Sequence, residues 1–199
     1  MKVFIRTIII LCFFSLAIFS SCKKSEDATN PVISTPQEQI TTVILSGYNH
    51  HHPSDSNFFI QCKWEDLDGN GGNAPTIDSL VLDTGITYDV RLLLLDKTKA
   101  PYDTVSNEVA ELGNMHQLFY TPSATLQHKI GIDRLDLDGN NPALPVGLQT
   151  QWKVVSQQSY PLPVTGSLNL VLSHYDGIPK TTQPSPESDI DVTFPVRLR

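Results

Sequence analysis

Ile190-Asp191-Val192-Thr193-Phe194-Pro195-Val196-Arg197-Leu198 carries an apolar side chain at every second position. Side chains on an extended chain point alternately to opposite faces, so this stretch is a strand with one buried face and one wet face. A helix, with its 3.6-residue period, would scatter those five apolar residues around its circumference. The same period of two recurs upstream. Phe58, Ile60, Cys62 and Trp64 alternate, as do Tyr88, Val90, Leu92 and Leu94; Leu148, Thr150, Trp152 and Val154 form another set, and Leu168, Leu170 and Leu172 another. Residues 40–47 (ITTVILSG) are rich in β-branched side chains and end at Gly47. With residues 77–82, 117–121 and 127–134 the chain offers eight or nine strands. Leu92-Leu93-Leu94-Leu95 is apolar on both faces, which predicts a central strand. One segment, residues 106–114 (SNEVAELGN), reads as a short helix with Ser106 as its cap and Gly113 near its end. Many short strands with at most one short helix predict an all-β fold, an immunoglobulin-like or transthyretin-like β-sandwich over residues 39–199.

The chain opens differently. Lys2 and Arg6 precede an uncharged, apolar run over residues 7–19. That run is too short to cross a hydrocarbon core of about 30 Å as a helix. A charged start followed by a short apolar run reads as a secretory signal peptide over residues 1–21. Ser20 and Ser21 suit a peptidase pocket, and Cys22 follows them. The junction resembles the lipobox of bacterial lipoproteins, which implies an acylated Cys22 as the mature N-terminus and an anchored rather than secreted protein. Ser25-Glu26-Asp27 resembles the acidic patch that directs Bacteroidota lipoproteins to the cell-surface face of the outer membrane. Residues 22–38 lack apolar periodicity and contain Pro31 and Pro36, so they are expected to form a flexible tether. A membrane barrel is a poor fit, because an acyl anchor would be redundant on it.

Both cations of the leader leave with it, so residues 22–199 carry 12 Lys+Arg against 21 Asp+Glu, a net of −9. That balance argues against nucleic acid, whose phosphates require a basic face, and against a protein held to anionic lipid by charge alone. The 14 prolines and 11 glycines exclude collagen and coiled coil alike. Cysteine use agrees with the anchor: Cys12 leaves with the leader, Cys22 is acylated, and Cys62 stays alone as a small core hydrophobe.

Asp66-Leu-Asp-Gly-Asn70 recurs as Asp136-Leu-Asp-Gly-Asn140, and each copy follows a strand. Farther on, Tyr88, Val90, Leu92 and Asp96 correspond to Leu168, Leu170, Leu172 and Asp176. An internal duplication of two Greek-key halves is the expectation. The alternating oxygens of Asp66, Asp68 and Asn70, and of Asp136, Asp138 and Asn140, invite a weak extracellular-type calcium site. Calcium needs 6–8 oxygens, and an EF-hand loop ends on a glutamate at its twelfth position. That position is Ile77 in one copy and Gly147 in the other, so the preferred reading is a turn in which Asp or Asn caps its own backbone and glycine bends the chain. His50, His51 and His52 form the second candidate, a weak transition-metal site in a solvated loop. His116, His128 and His174 are scattered with no spacing to join them, and Glu187 and Asp189 read as solvated surface beside a proline-rich loop. No G-x-S-x-G, H-E-x-x-H or P-loop is present, so no catalytic residues and no cofactor are assigned.

Four stretches act together: Trp64-Glu-Asp-Leu-Asp-Gly-Asn-Gly-Gly-Asn-Ala-Pro75, Thr84-Gly-Ile-Thr-Tyr-Asp-Val-Arg-Leu-Leu-Leu-Leu-Asp96, His116-Gln-Leu-Phe-Tyr-Thr-Pro122 and Ser188-Asp-Ile-Asp-Val-Thr-Phe-Pro-Val196. They resemble a family of small Bacteroidota outer-membrane lipoproteins encoded near TonB-dependent receptors. That family sometimes bears the label of a type 1 periplasmic-binding fold, which would require a parallel α/β sheet and is rejected on the period-two pattern. The resemblance implies a partner, a TonB-dependent receptor that imports a nutrient. The expected function is therefore a non-catalytic surface lipoprotein that assists such a receptor by binding. A calcium-stabilised adhesion or envelope-structural module is the alternative, and a surface-polymer hydrolase the second.

Overall fold

In the computed structural model, residues 37–69, 71–157 and 160–199 are described. The expected signal peptide, Cys22 and the expected tether up to residue 36 lie outside them. Thr42 faces Glu65 across one strand pair and Leu95 across another, which sets the centre of the larger sheet. That sheet has six strands in the order β3 (Thr76–Ile77), β2 (Ile60–Glu65), β1 (Thr42–Asn49), β5 (Thr87–Leu95), β8 (Gln149–Val154) and β7 (Ile130–Arg134). Four more strands form the second sheet in the order β4 (Leu80–Leu82), β10 (Glu187–Leu198), β9 (Val164–His174) and β6 (His116–Pro122). Every pairing is antiparallel except β4 with β10. The inner faces share one hydrophobic core, with Trp152, Tyr88 and Phe194 at its largest buried positions. Burying each such side chain contributes roughly 1.5–3 kcal/mol. The all-β sandwich expected from the alternation is what the chain forms.

The strand count differs from expectation for a local reason. Residues 77–82 are two strands, not one, so the described residues hold ten. The backbone N–H of Lys63 donates to the Asp78 carboxylate, and Asp78 N–H donates to Lys63 O at 2.8 Å, closing the β2–β3 ladder. The chain then crosses to the other sheet as β4. Gly47 does not end β1 either. A side chain there would come within 2.9 Å of Val90 and 3.0 Å of the Asp89 carbonyl, so glycine permits close strand approach and the strand runs on to Asn49.

Helix α1 (Val105–Glu111) starts two residues earlier than expected, after Thr104, and Ser106 lies buried inside it rather than capping it. Its Val105 and Val109 join the core. β5 is central as expected, but it is not buried on both sides: Leu92 and Leu94 point inward, while Leu93 is exposed. Among the described residues no helix is long and apolar enough to cross a membrane.

The strand registers sort the loops into two ends. The start of β1 and β10 and the ends of β2, β5, β7 and β9 lie at the end where Gln37 joins the domain. Residues 66–75, 96–104, 135–148 and 175–186 are its loops, with α1 beside them. At the other end lie Arg199 and the loop that carries His50, His51 and His52. Glu38 belongs to the folded body rather than to the tether, since its backbone N–H donates to Asp189 and Gln37 donates to the Ser188 carbonyl.

The two DLDGN loops each join antiparallel strands, one near each edge of the six-stranded sheet. Their surroundings do not repeat. β2 pairs with β1, which precedes it, whereas β7 and its predecessor β6 belong to different sheets; β5 and β9 are likewise divided between the sheets.

Candidate functional site

In the loops proposed for calcium, the carboxylates hold their own backbone. Asp136 accepts the N–H groups of Gly147, Leu148 and Gln149 at 2.9, 2.9 and 3.2 Å. Asp138 accepts those of Asn140 and Leu144 at 3.0 and 2.9 Å, and its second oxygen meets the Asn140 amide and the Lys180 ammonium. Asp66 accepts one N–H, from Gly69, and Asp68 takes the Asn73 backbone and side chain. Asn70 lies outside the described residues. These are turn and loop-closing bonds, with Gly69 at φ +75° as the turn requires. Gly139 is not in that region, so the two copies bend differently.

His50, His51 and His52 do not converge. His50 Nδ1 lies 2.8 Å from Asp89 Oδ2 and beside Gln151, while His51 stacks edge-on to His50 and His52 is exposed.

The convergent group lies at the Gln37 end, and the sequence had dispersed it. His116 opens β6 and His174 closes β9, and the two are direct cross-strand partners. Each continues an inward run: His116 is in phase with Leu118, and His174 with Leu168, Leu170 and Leu172. Asp189 joins them through a β-bulge. Ser188 faces Ser173 and Ile190 faces Leu172, so Asp189 is the extra residue of β10. A bulge re-aims a side chain, and here it turns a carboxylate between the sheets. Far from solvated surface, that side chain is wholly buried. Glu38 closes the group from the segment before β1, 7% exposed at its side chain.

His116 Nδ1 lies 3.1 Å from the Leu112 carbonyl, which can only accept, so Nδ1 carries the proton. Nε2 then offers a lone pair, 3.4 Å from Glu38 Oε1 and 3.5 Å from Asp189 Oδ2. Among the described residues, neither Nε2 nor Asp189 Oδ2 has a hydrogen-bond partner. The other Asp189 oxygen is 3.0 Å from His174 Nδ1, and the imidazole rings are 4.7 Å apart. Burial holds His116 below the usual imidazole value against the opposing pull of Asp189. Burial, then the negative charges of Asp189 and Glu108, push Glu38 up to about 7. One ligand-type atom each of His116, His174 and Asp189 lies within 4.8 Å of the others, which no other trio of His, Cys, Asp or Glu achieves among the described residues. Such a set can share a proton or hold a cation. Comparison with protein-family models, with curated proteins and with solved structures found no match.

The same end carries five of the nine large apolar side chains that are exposed among the described residues. Leu67, Tyr102, Leu135, Leu137 and Ile178, 46% to 62% exposed, lie on its loops, while Phe59 and Val155, 54% and 49% exposed, lie at the other end. A cleft of about 640 Å³ opens beside Leu67, lined also by Trp64, Thr98, Ile190 and Asp191.

Proposed function

We propose that this chain is a lipid-anchored β-sandwich of the bacterial outer membrane that works by binding, as an accessory of a TonB-dependent nutrient receptor. The leader supports the anchor: two cations, a short apolar run, two serines and then Cys22. The receptor as partner rests on the resemblance of the four motifs. The observation that carries the binding role is the clustering of exposed apolar side chains on the loops of the Gln37 end. Leu67 and Leu137 stand at the second position of the two DLDGN turns, held out by loops whose aspartates fix the backbone. Exposed apolar groups on rigid loops are what a partner surface uses, because burying them drives association while little chain entropy is lost.

The test is metabolic labelling with an alkynyl fatty acid, followed by crosslinking in intact cells and mass spectrometry. Label on Cys22, lost in Cys22→Ser, and crosslinks from the exposed Lys99 to a β-barrel receptor are the expected results. An unlabelled chain, or a receptor that never crosslinks or co-purifies in mild detergent, overturns the proposal. Leu67→Ser with Leu137→Ser is expected to weaken capture while leaving the fold intact.

A further inference from the structure

We propose that Glu38, His116, His174 and Asp189 form a structural site for one transition-metal dication of the zinc class, which ties the segment preceding β1 to β6, β9 and β10. The geometry comes first. Four ligand atoms placed tetrahedrally at about 2.1 Å from zinc stand about 3.4 Å from one another. His116 Nε2 lies 3.4 Å from the Glu38 oxygen and 3.5 Å from the Asp189 oxygen. These two distances are too long for strong hydrogen bonds and match two edges of such a tetrahedron, while His116, His174 and Asp189 gather within 4.8 Å of one another and Glu38 approaches them at His116.

Two buried atoms with no partner supply the second observation. His116 Nε2 and Asp189 Oδ2 belong to side chains with no solvent exposure, and both aim at the same space. A lone pair facing carboxylate oxygens satisfies neither group, and burying unsatisfied polar atoms is costly. A dication between them answers both. Metal binding displaces the proton that Glu38 shares, and two neutral imidazoles with two carboxylates then match the charge of a dication in one buried place.

The surroundings already orient the ligands. The bond from His116 Nδ1 to the Leu112 carbonyl is the contact that metal-ligating histidines use to fix the ring and present the opposite nitrogen. His174 Nδ1 reaches the ion by giving up its bond to Asp189, with its ring proton passing to Nε2. Two nitrogens and two oxygens favour zinc over calcium or magnesium, which take oxygen shells. With four protein ligands no position is left for substrate, so the site holds structure together rather than performing chemistry.

The test uses the untagged mature chain in detergent, stripped with EDTA and titrated with zinc by calorimetry and with cobalt by visible absorption. One zinc per chain, an intense tetrahedral cobalt band and a melting temperature raised by roughly 5 °C or more in excess metal are expected. His116→Gln and Asp189→Asn should each weaken binding by about 100-fold. Replacing His50, His51 and His52 together with Gln should leave it unchanged. Should His116→Gln fail to fold, Glu38→Gln at the rim of the cluster is the second variant, expected to bind at least about tenfold more weakly while still melting cooperatively. Absence of both heat and a cobalt band in the parent protein overturns the proposal and leaves a proton-sharing network. Binding lost with His50, His51 and His52, or kept in both His116→Gln and Glu38→Gln, overturns it equally.

Discussion

Lys180 Nζ lies 3.0 Å from Asp138 Oδ2, and neither side chain reaches solvent. Lys180 also donates to the Gly113 carbonyl at 2.7 Å, so one buried ammonium joins the second DLDGN loop, the end of α1 and the loop after β9. Removing one partner of a buried pair strands the other charge. Lys180→Met is expected to cost about 3–5 kcal/mol in urea denaturation. The double variant Lys180→Met with Asp138→Asn should recover much of that loss, because no uncompensated charge remains. A double variant as unstable as the single one would contradict this account.

The two DLDGN loops should respond unequally to the same substitution. Asp136 holds three backbone N–H groups, whereas Asp66 holds one among the described residues. Asp136→Ala is expected to destabilise by about 3 kcal/mol, and Asp66→Ala by no more than about 1 kcal/mol. Paired denaturation curves read the difference directly.

Cys62 should be chemically silent in the folded protein. It is fully buried, and burial followed by the charge of Asp78 pushes its thiol up to about 12. The thiolate is the reactive form, so iodoacetamide at neutral pH should leave the Cys62 peptide unmodified. Concentrated guanidinium should make it react fully. Peptide mapping by mass spectrometry compares the two, and native labelling would mean an open core.

Acid should loosen the Gln37 end through Glu65. Hydrogen bonds and ion pairs from Lys63 and Lys97 lower its carboxyl from 4.5 to about 2. A carboxyl held below its unfolded value contributes stability above that value and loses it as pH falls towards the folded one. The window is therefore about pH 4.5 down to about 2. Partial solvent exposure keeps the contribution near 1 kcal/mol. Glu65→Gln should lower the melting temperature slightly at pH 7 and flatten its decline across that window.

The alternation of apolar residues was enough to place nearly every strand, because burial on one face leaves a direct mark at every second position. Residues 77–82 were misread as one strand because their split depends on Asp78 capping Lys63, a contact that spacing does not encode. Part of the convergent cluster was legible: Leu168, Leu170 and Leu172 continue in phase to His174, and the same phase joins Leu118 to His116. Reading each histidine as the next step of its strand would have placed both in the core. Asp189 could not be found that way, since a bulge shifts its phase. Glu38 was hidden by the proline-bearing segment before it, which reads as tether until the hydrogen bonds to Ser188 and Asp189 are seen.

β4 covers only the last three residues of β10, Val196 to Leu198, so among the described residues one flank of β10 from Glu187 to Pro195 has no strand partner. Such a flank is an invitation to a neighbouring copy, which could add its own strand there. Pro195 offers no N–H to such a visitor, the bulge at Asp189 breaks its register, Gln37 occupies the Ser188 carbonyl, and Asp191 adds charge. Crowded copies of this protein can therefore lie side by side without knitting into fibres.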